Sequence, residues 1–140
     1  MLTTLADAMV SALNAETFSI AFTAERKWLP YFTQEEVATL KVTVVPRSRD
    51  SSIEDRETDQ EVAQVDIAVQ RHVSALTNAE IDPLNDLTEE IADFLNRNDL
   101  GDWEWIGTEF KSLLATDVLR ANQVYTSVVT LSYRQTRDAS

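Results

Sequence analysis

Apolar residues recur at helical spacing over the first fifteen positions, after which the period changes to two. Leu2, Leu5, Ala6, Met9, Val10 and Leu13 fall at i, i+3, i+4, i+7 intervals and predict an amphipathic helix over 2–15. Thr3 or Thr4 can cap it. Phe18-Ser19-Ile20-Ala21-Phe22-Thr23-Ala24 alternates apolar with small or polar residues and predicts a half-buried strand. Thr33-Gln34-Glu35-Glu36 has the form of a capping box and predicts a short helical turn near 34–39. Lys41-Val42-Thr43-Val44-Val45 reads as a strand. So does Glu61 to Val69, with Ala63, Val65, Ile67 and Val69 on an apolar face and Val62, Gln64, Asp66 and Ala68 on the other.

Residues 82–97 carry the clearest helical stripe, made of Leu84, Leu87, Ile91, Phe94 and Leu95. Asp82 serves as its expected N-cap, Pro83 as its first helical residue and Gly101 as a left-handed stop. Asp102 to Thr108 alternates acidic with aromatic residues and predicts a strand with Trp103 and Trp105 on one face. Leu113 to Asn122 has no clear period and reads as a loop or a short turn. Gln123 to Arg134 is strongly β, with Tyr125, Val129, Leu131 and Tyr133 sharing a face.

Between the two central strands lies a charged stretch, Pro46 to Gln60, read as a hairpin loop far longer than the usual ~2–5 residues. Arg47, Arg49 and Arg56 stand there among Asp50, Glu54, Asp55, Glu57 and Asp59. Such mixed charge suits a polar subunit boundary, so these residues are the expected partner-binding loop. The element order predicts one α+β domain over 1–140. Its sheet is expected to be mostly antiparallel, with four to five strands, two main helices packed on one face and a long hairpin loop. The other face, or an edge strand, must then be managed, and oligomerisation is one way to do so.

Composition narrows the function. A net charge of −12 argues against nucleic-acid binding and against docking on anionic membranes. There is no Cys, which excludes disulfides, thiol catalysis and cysteine metal sites. The two glycines, Gly101 and Gly107, cannot build a phosphate-cradling loop. No apolar run approaches the ~20 residues of a membrane span, and the N-terminus lacks the basic start of a signal peptide.

Candidate chemistry is sparse. The single His72 stands at a strand end with no motif around it. Asp50 to Glu61 lacks the ligand order of a calcium loop, and Asn98-Asp99-Leu100-Gly101-Asp102 lacks the closing glutamate. Nothing points to a pair of carboxylates across a cleft. The expectation is a protein that is no enzyme, with no catalytic, cofactor-binding or metal-binding residues and no cofactor. Trp103 and Trp105 either pack on the helix stripe or form an intersubunit contact, a role for which Trp is enriched.

Several segments together carry a family likeness. They are the helix Leu5 to Asn14, the strands Leu40 to Pro46 and Val65 to Gln70, the helix Glu89 to Leu95 and the closing strand Thr126 to Arg134. The chain resembles the tail terminator (tail-completion) and neck proteins of long-tailed bacteriophages. The likeness spans most of the chain and rests on element order and texture, without an invariant motif. It implies a structural virion protein of the tail-neck region, assembled in the host cytoplasm. Such a subunit forms a homo-oligomeric ring, usually a hexamer, on the end of the tail tube. The ring stops tube polymerisation and offers a joining surface for the head. The implied partners are further copies of the chain, the tail tube protein and a head-closure or neck protein, with genome DNA passing through unbound. A head-closure or head-to-tail joining protein is the alternative of the same kind. A small-molecule-binding or hydrolytic α+β domain is the alternative of another class, and it needs a closed pocket with convergent polar groups.

Overall fold

The computed structural model describes residues 2–28, 38–53, 58–75, 77–112 and 123–138. They form α1 (Leu2–Ala15), β1 (Ala24–Arg26), β2 (Lys41–Ile53), β3 (Thr58–His72), α2 (Asn78–Leu95), β4 (Glu104–Ser112) and β5 (Val124–Asp138). The strands make one five-stranded sheet in the order β1-β2-β3-β5-β4. β1 lies parallel to β2 and every other pair is antiparallel. The fold is α+β with a mostly antiparallel sheet.

One buried cluster explains this arrangement. α1 contributes Leu5, Ala6, Met9 and Leu13, and α2 contributes Leu84, Leu87, Ile91, Ala92 and Leu95. They meet Val42 and Val44 of β2, the odd-numbered residues Ala63 to Val69 of β3, and Tyr125, Val129, Leu131 and Tyr133 of β5. The cross-strand register puts these residues in common rows: Val44, Ile67 and Val129 form one, and Val65 and Leu131 belong to the next. Fully burying each large aliphatic side chain contributes roughly 1.5–3 kcal/mol, so the alternation in β3 sets which face of the sheet receives the helices. Toward the hairpin, the cluster's last members are Ala63 and Tyr133.

Several boundaries differ from the sequence reading. Of the strand expected over 18–24, only Ala24 is in regular β structure, at the start of β1. The reason is local competition for backbone groups. The Asn14 side chain accepts from the Ala24 N–H (2.7 Å) and donates to its carbonyl (3.2 Å). The Ser19 N–H donates to Glu90 Oε1 (3.0 Å), and the Ser19 hydroxyl donates to Glu90 Oε2. Phe18 stacks on Phe22 and meets Phe94 edge-on, which fixes this segment against α2 without a strand.

α2 begins at Asn78, before the expected cap at Asp82. Thr77 is the N-cap residue, and its carbonyl accepts from the N–H groups of Glu80 and Ile81. Pro83 therefore stands inside the helix, where it lacks the N–H for one helical bond. The helix ends at Leu95 with Asn96 as its C-cap. The left-handed residue that follows is Arg97 (φ 63°), while Gly101 (φ 58°) takes up a left-handed conformation in the next turn. The helical turn expected near 34–39 lies largely outside the described residues. So does all of the Leu113 to Asn122 stretch.

Candidate functional site

The largest departure concerns the charged stretch between β2 and β3. It is not a long loop. Ser48 to Ile53 continue β2 and pair with Gln64 to Asp59 of β3. Thr58 to Val62 also pair with Asp138 to Arg134 of β5. The connection itself is 54–57, a length ordinary for a hairpin. The sequence therefore builds a three-stranded arm out of polar residues, continuous with the sheet that the helices back. At a strand rise of about 3.4 Å, the five residues from Thr58 to Val62 carry β3 roughly 17 Å past the cluster's edge.

Of the expected partner-binding residues, Arg47 stands at the root of this arm. Arg49 and Asp50 are in β2, and Asp59 is in β3. Glu54, Asp55, Arg56 and Glu57 lie outside the described residues. Arg47 falls where the register shifts between Pro46 and Ser48, a bulge that re-aims its side chain. Its Nη1 donates to Thr130 Oγ1 (3.3 Å) and lies 3.5 Å from Asp66 Oδ1. Thr130 Oγ1 donates in turn to Asp66 Oδ1 (2.6 Å). One ion-and-hydroxyl cluster thus ties β2, β3 and β5 together on the even-numbered face of β3.

Nearby on the same face, Gln64 Nε2 donates to Ser132 Oγ (3.3 Å). One row further toward the arm, Arg134 makes a two-pronged contact with Glu104, at 3.0 and 3.1 Å. The hydrogen bond from Arg134, and then its positive charge, hold the Glu104 carboxyl below its ordinary range. These polar residues sit at the root of the arm and on its flank, where β4 leaves β5.

Trp103 and Trp105 do not share a strand face. Trp103 is buried in the core, in a tight turn where it exchanges two backbone hydrogen bonds with Leu100 (both 2.9 Å). Trp105 is half-buried in β4, and its Nε1 donates to Thr108 Oγ1 (2.9 Å). The expected intersubunit role therefore falls away from Trp103. Among the described residues the exposed large hydrophobics on β4 are Ile106 and Phe110, which sequence reasoning did not single out. Ile106 lies within one register shift of β4, between Trp105 and Gly107, and Phe110 borders the other, between Phe110 and Ser112.

The Asn98 to Asp102 cluster serves this same turn. Asn98 Nδ2 donates to the Phe94 carbonyl, and Asp99 Oδ1 accepts from the Trp105 N–H (3.0 Å). Asp99's charge also adds to burial in raising the Tyr133 phenol above its usual range, burial being the larger cause. Among the described residues no group of three acidic or histidine side chains is placed to hold a metal ion.

Two other places were open to ligand chemistry. A buried chain of hydroxyls runs from Ser127 Oγ to Tyr125 Oη (2.7 Å) and on to Thr88 Oγ1 (3.3 Å), which donates to the Leu84 carbonyl (3.0 Å). Its members satisfy one another beneath α2, a structural use. A recess of about 180 Å³ lies between the end of α1 and the Phe18–Phe22 segment, lined mainly by Leu13, Phe18, Ile20 and Phe22. That is smaller than the roughly 300–1,000 Å³ of typical ligand pockets.

No protein-family model matches the chain, and no characterised protein matches it in sequence.

Proposed function

We propose that the chain is a structural assembly subunit of the tail-terminator kind, which forms a ring on the end of a phage tail tube. The arm is the observation that carries this reading. A fold of this size has extended three strands past its own core as a polar, paired structure. Glu61 of the arm is fully buried, but no arm residue belongs to the described apolar cluster, and on this reading the arm acts through what it touches outside the subunit. The family likeness supports the same reading, since it spans the helices and strands that frame the arm.

The mechanism is geometric. A ring of like contacts closes after a fixed rotation. One ring face matches the last ring of the tube, and the other does not copy it, so elongation loses its template. No bond is made or broken, and the buried Ser127–Tyr125–Thr88 hydroxyl chain has a structural use beneath α2. The strongly negative charge of the chain fits a ring that lets DNA pass without holding it.

Electron microscopy of the purified protein mixed with growing tail tubes tests the proposal. The expected result is a ring seated on tube ends and tubes of arrested length. Tubes that elongate unchanged, with bare ends, would contradict it.

A further inference from the structure

We propose that the arm joins each copy of this chain to the next through its two outer backbone edges. The β5 edge of one copy takes the β2 edge of its neighbour as an added parallel strand. This rests on the ring reading above and names the contact that would close the ring.

The sheet's outer strands stop short of the arm. β1 pairs with β2 only at Val42, Thr43 and Val44, and β4 pairs with β5 only between Val128 and Arg134. Past those rows, Ser48–Ile53 of β2 and Gln135–Asp138 of β5 pair inward with β3. Among the described residues no strand lies on their outer sides. Backbone N–H and C=O groups along such an edge are a template for another strand.

Geometry then selects the kind of contact. The two edges are unlike, so a two-fold contact would pair one edge with itself and leave the other kind unused. A head-to-tail contact uses both edges in a single repeating joint, the heterologous kind that closes into rings. β2 and β5 are each antiparallel to β3, so they run parallel to one another. Rotation about an axis along the strands preserves that direction, which makes the joint parallel.

Charge selects the same place. The chain carries −12 overall, which opposes self-association. Ser48–Ile53 contains one Arg and one Asp, and Gln135–Asp138 contains one Arg and one Asp, so both segments are neutral. The bulge at Arg47 and the missing N–H of Pro46 break the edge on the core side and confine the joint to the arm. β4, with two register shifts, offers a poorer ladder.

The natural absence of Cys makes the test direct. Ser52 and Thr136 stand in one row across the arm, through Gln60. Ser52→Cys and Thr136→Cys are made singly and together, treated with a short bismaleimide and run on denaturing gels. Mass photometry on the same samples reports whether oligomers are present. The pair Ser51→Cys with Gln135→Cys, one row over, is run alongside in case either substitution disturbs folding.

The double variant should give a ladder of cross-linked species that ends at the ring size. An equimolar mixture of the single variants should stop at dimers, and each single variant alone should stay monomeric. Oligomers without a ladder would overturn the joint and leave the ring reading standing. Ser52→Cys alone cross-linking as readily as the double variant would replace the joint with a two-fold one. A chain that stays monomeric at every concentration, without a ladder, would overturn the joint, and the ring reading would then be decided on tube ends.

Discussion

The same three strands are built in two ways along their length. Where α1 and α2 pack, β2, β3 and β5 alternate, with Val44, Ile67 and Val129 in a buried row and Thr43, Ala68 and Val128 in the next row on the opposite face. In the arm the alternation disappears from the sequence, yet pairing continues to Asp59 and Asp138, unshifted between β3 and β5 and with one shift at Arg47 between β2 and β3. Burial sets the register in one half; backbone pairing carries it unchanged into the other between β3 and β5, and past one bulge between β2 and β3. Stability is concentrated in the helix-backed half, and the arm depends on it.

The helix-backed half should show large losses. Ile67→Ala or Ile91→Ala removes a fully buried side chain and should cost roughly 2–5 kcal/mol, read from urea unfolding. A cost under about 1 kcal/mol would mean that this half is not where stability resides. Thr88→Val is a gentler probe of the same region. It removes the hydroxyl that links α2 to Tyr125 and should cost about 1 kcal/mol, with Ser127 still serving the phenol.

The smallest effect belongs to the flank of the arm. Glu104 has a folded-state pKa lowered by Arg134, so its contribution is present above the ordinary carboxylate pKa. That contribution is lost as pH falls through the lowered value. Arg134→Gln should therefore lower the melting temperature slightly at neutral pH, and the gap from the native chain should close in acid. A gap that widened in acid would reverse the assigned sign.

Much of the helix-backed half was legible in the sequence, because one buried face imposes a period of two on strands and a stripe on helices. The β3 alternation and the β5 set of Tyr125, Val129, Leu131 and Tyr133 were read from that period, and the structure buries them. The arm was not legible for the converse reason: Pro46 to Gln60 lacks apolar alternation, so the run reads as loop. One signal was available, since 47–60 contains neither Gly nor Pro, the usual markers of a long loop. The start of α2 was also written in the chain. Thr77-Asn78-Ala79-Glu80 has the capping-box spacing, although Glu80 accepts from the Ser74 hydroxyl. Asp82-Pro83, a stronger-looking start, hid it. The Arg47–Asp66–Thr130 cluster joins residues far apart in sequence and depends on a bulge that no local pattern announces.

The most direct test of the account removes the arm. Ser51 to Glu61 are deleted and Asp50 is joined to Val62 through Asn-Gly, a turn suited to a two-residue hairpin. Thermal unfolding and tube-end binding are then measured on the same preparation. The melting temperature should stay within about 4 °C of the native chain, the shift of roughly 1 kcal/mol, and binding to tube ends should be lost. A shortened chain that still caps tubes, or one that no longer folds cooperatively, would contradict it.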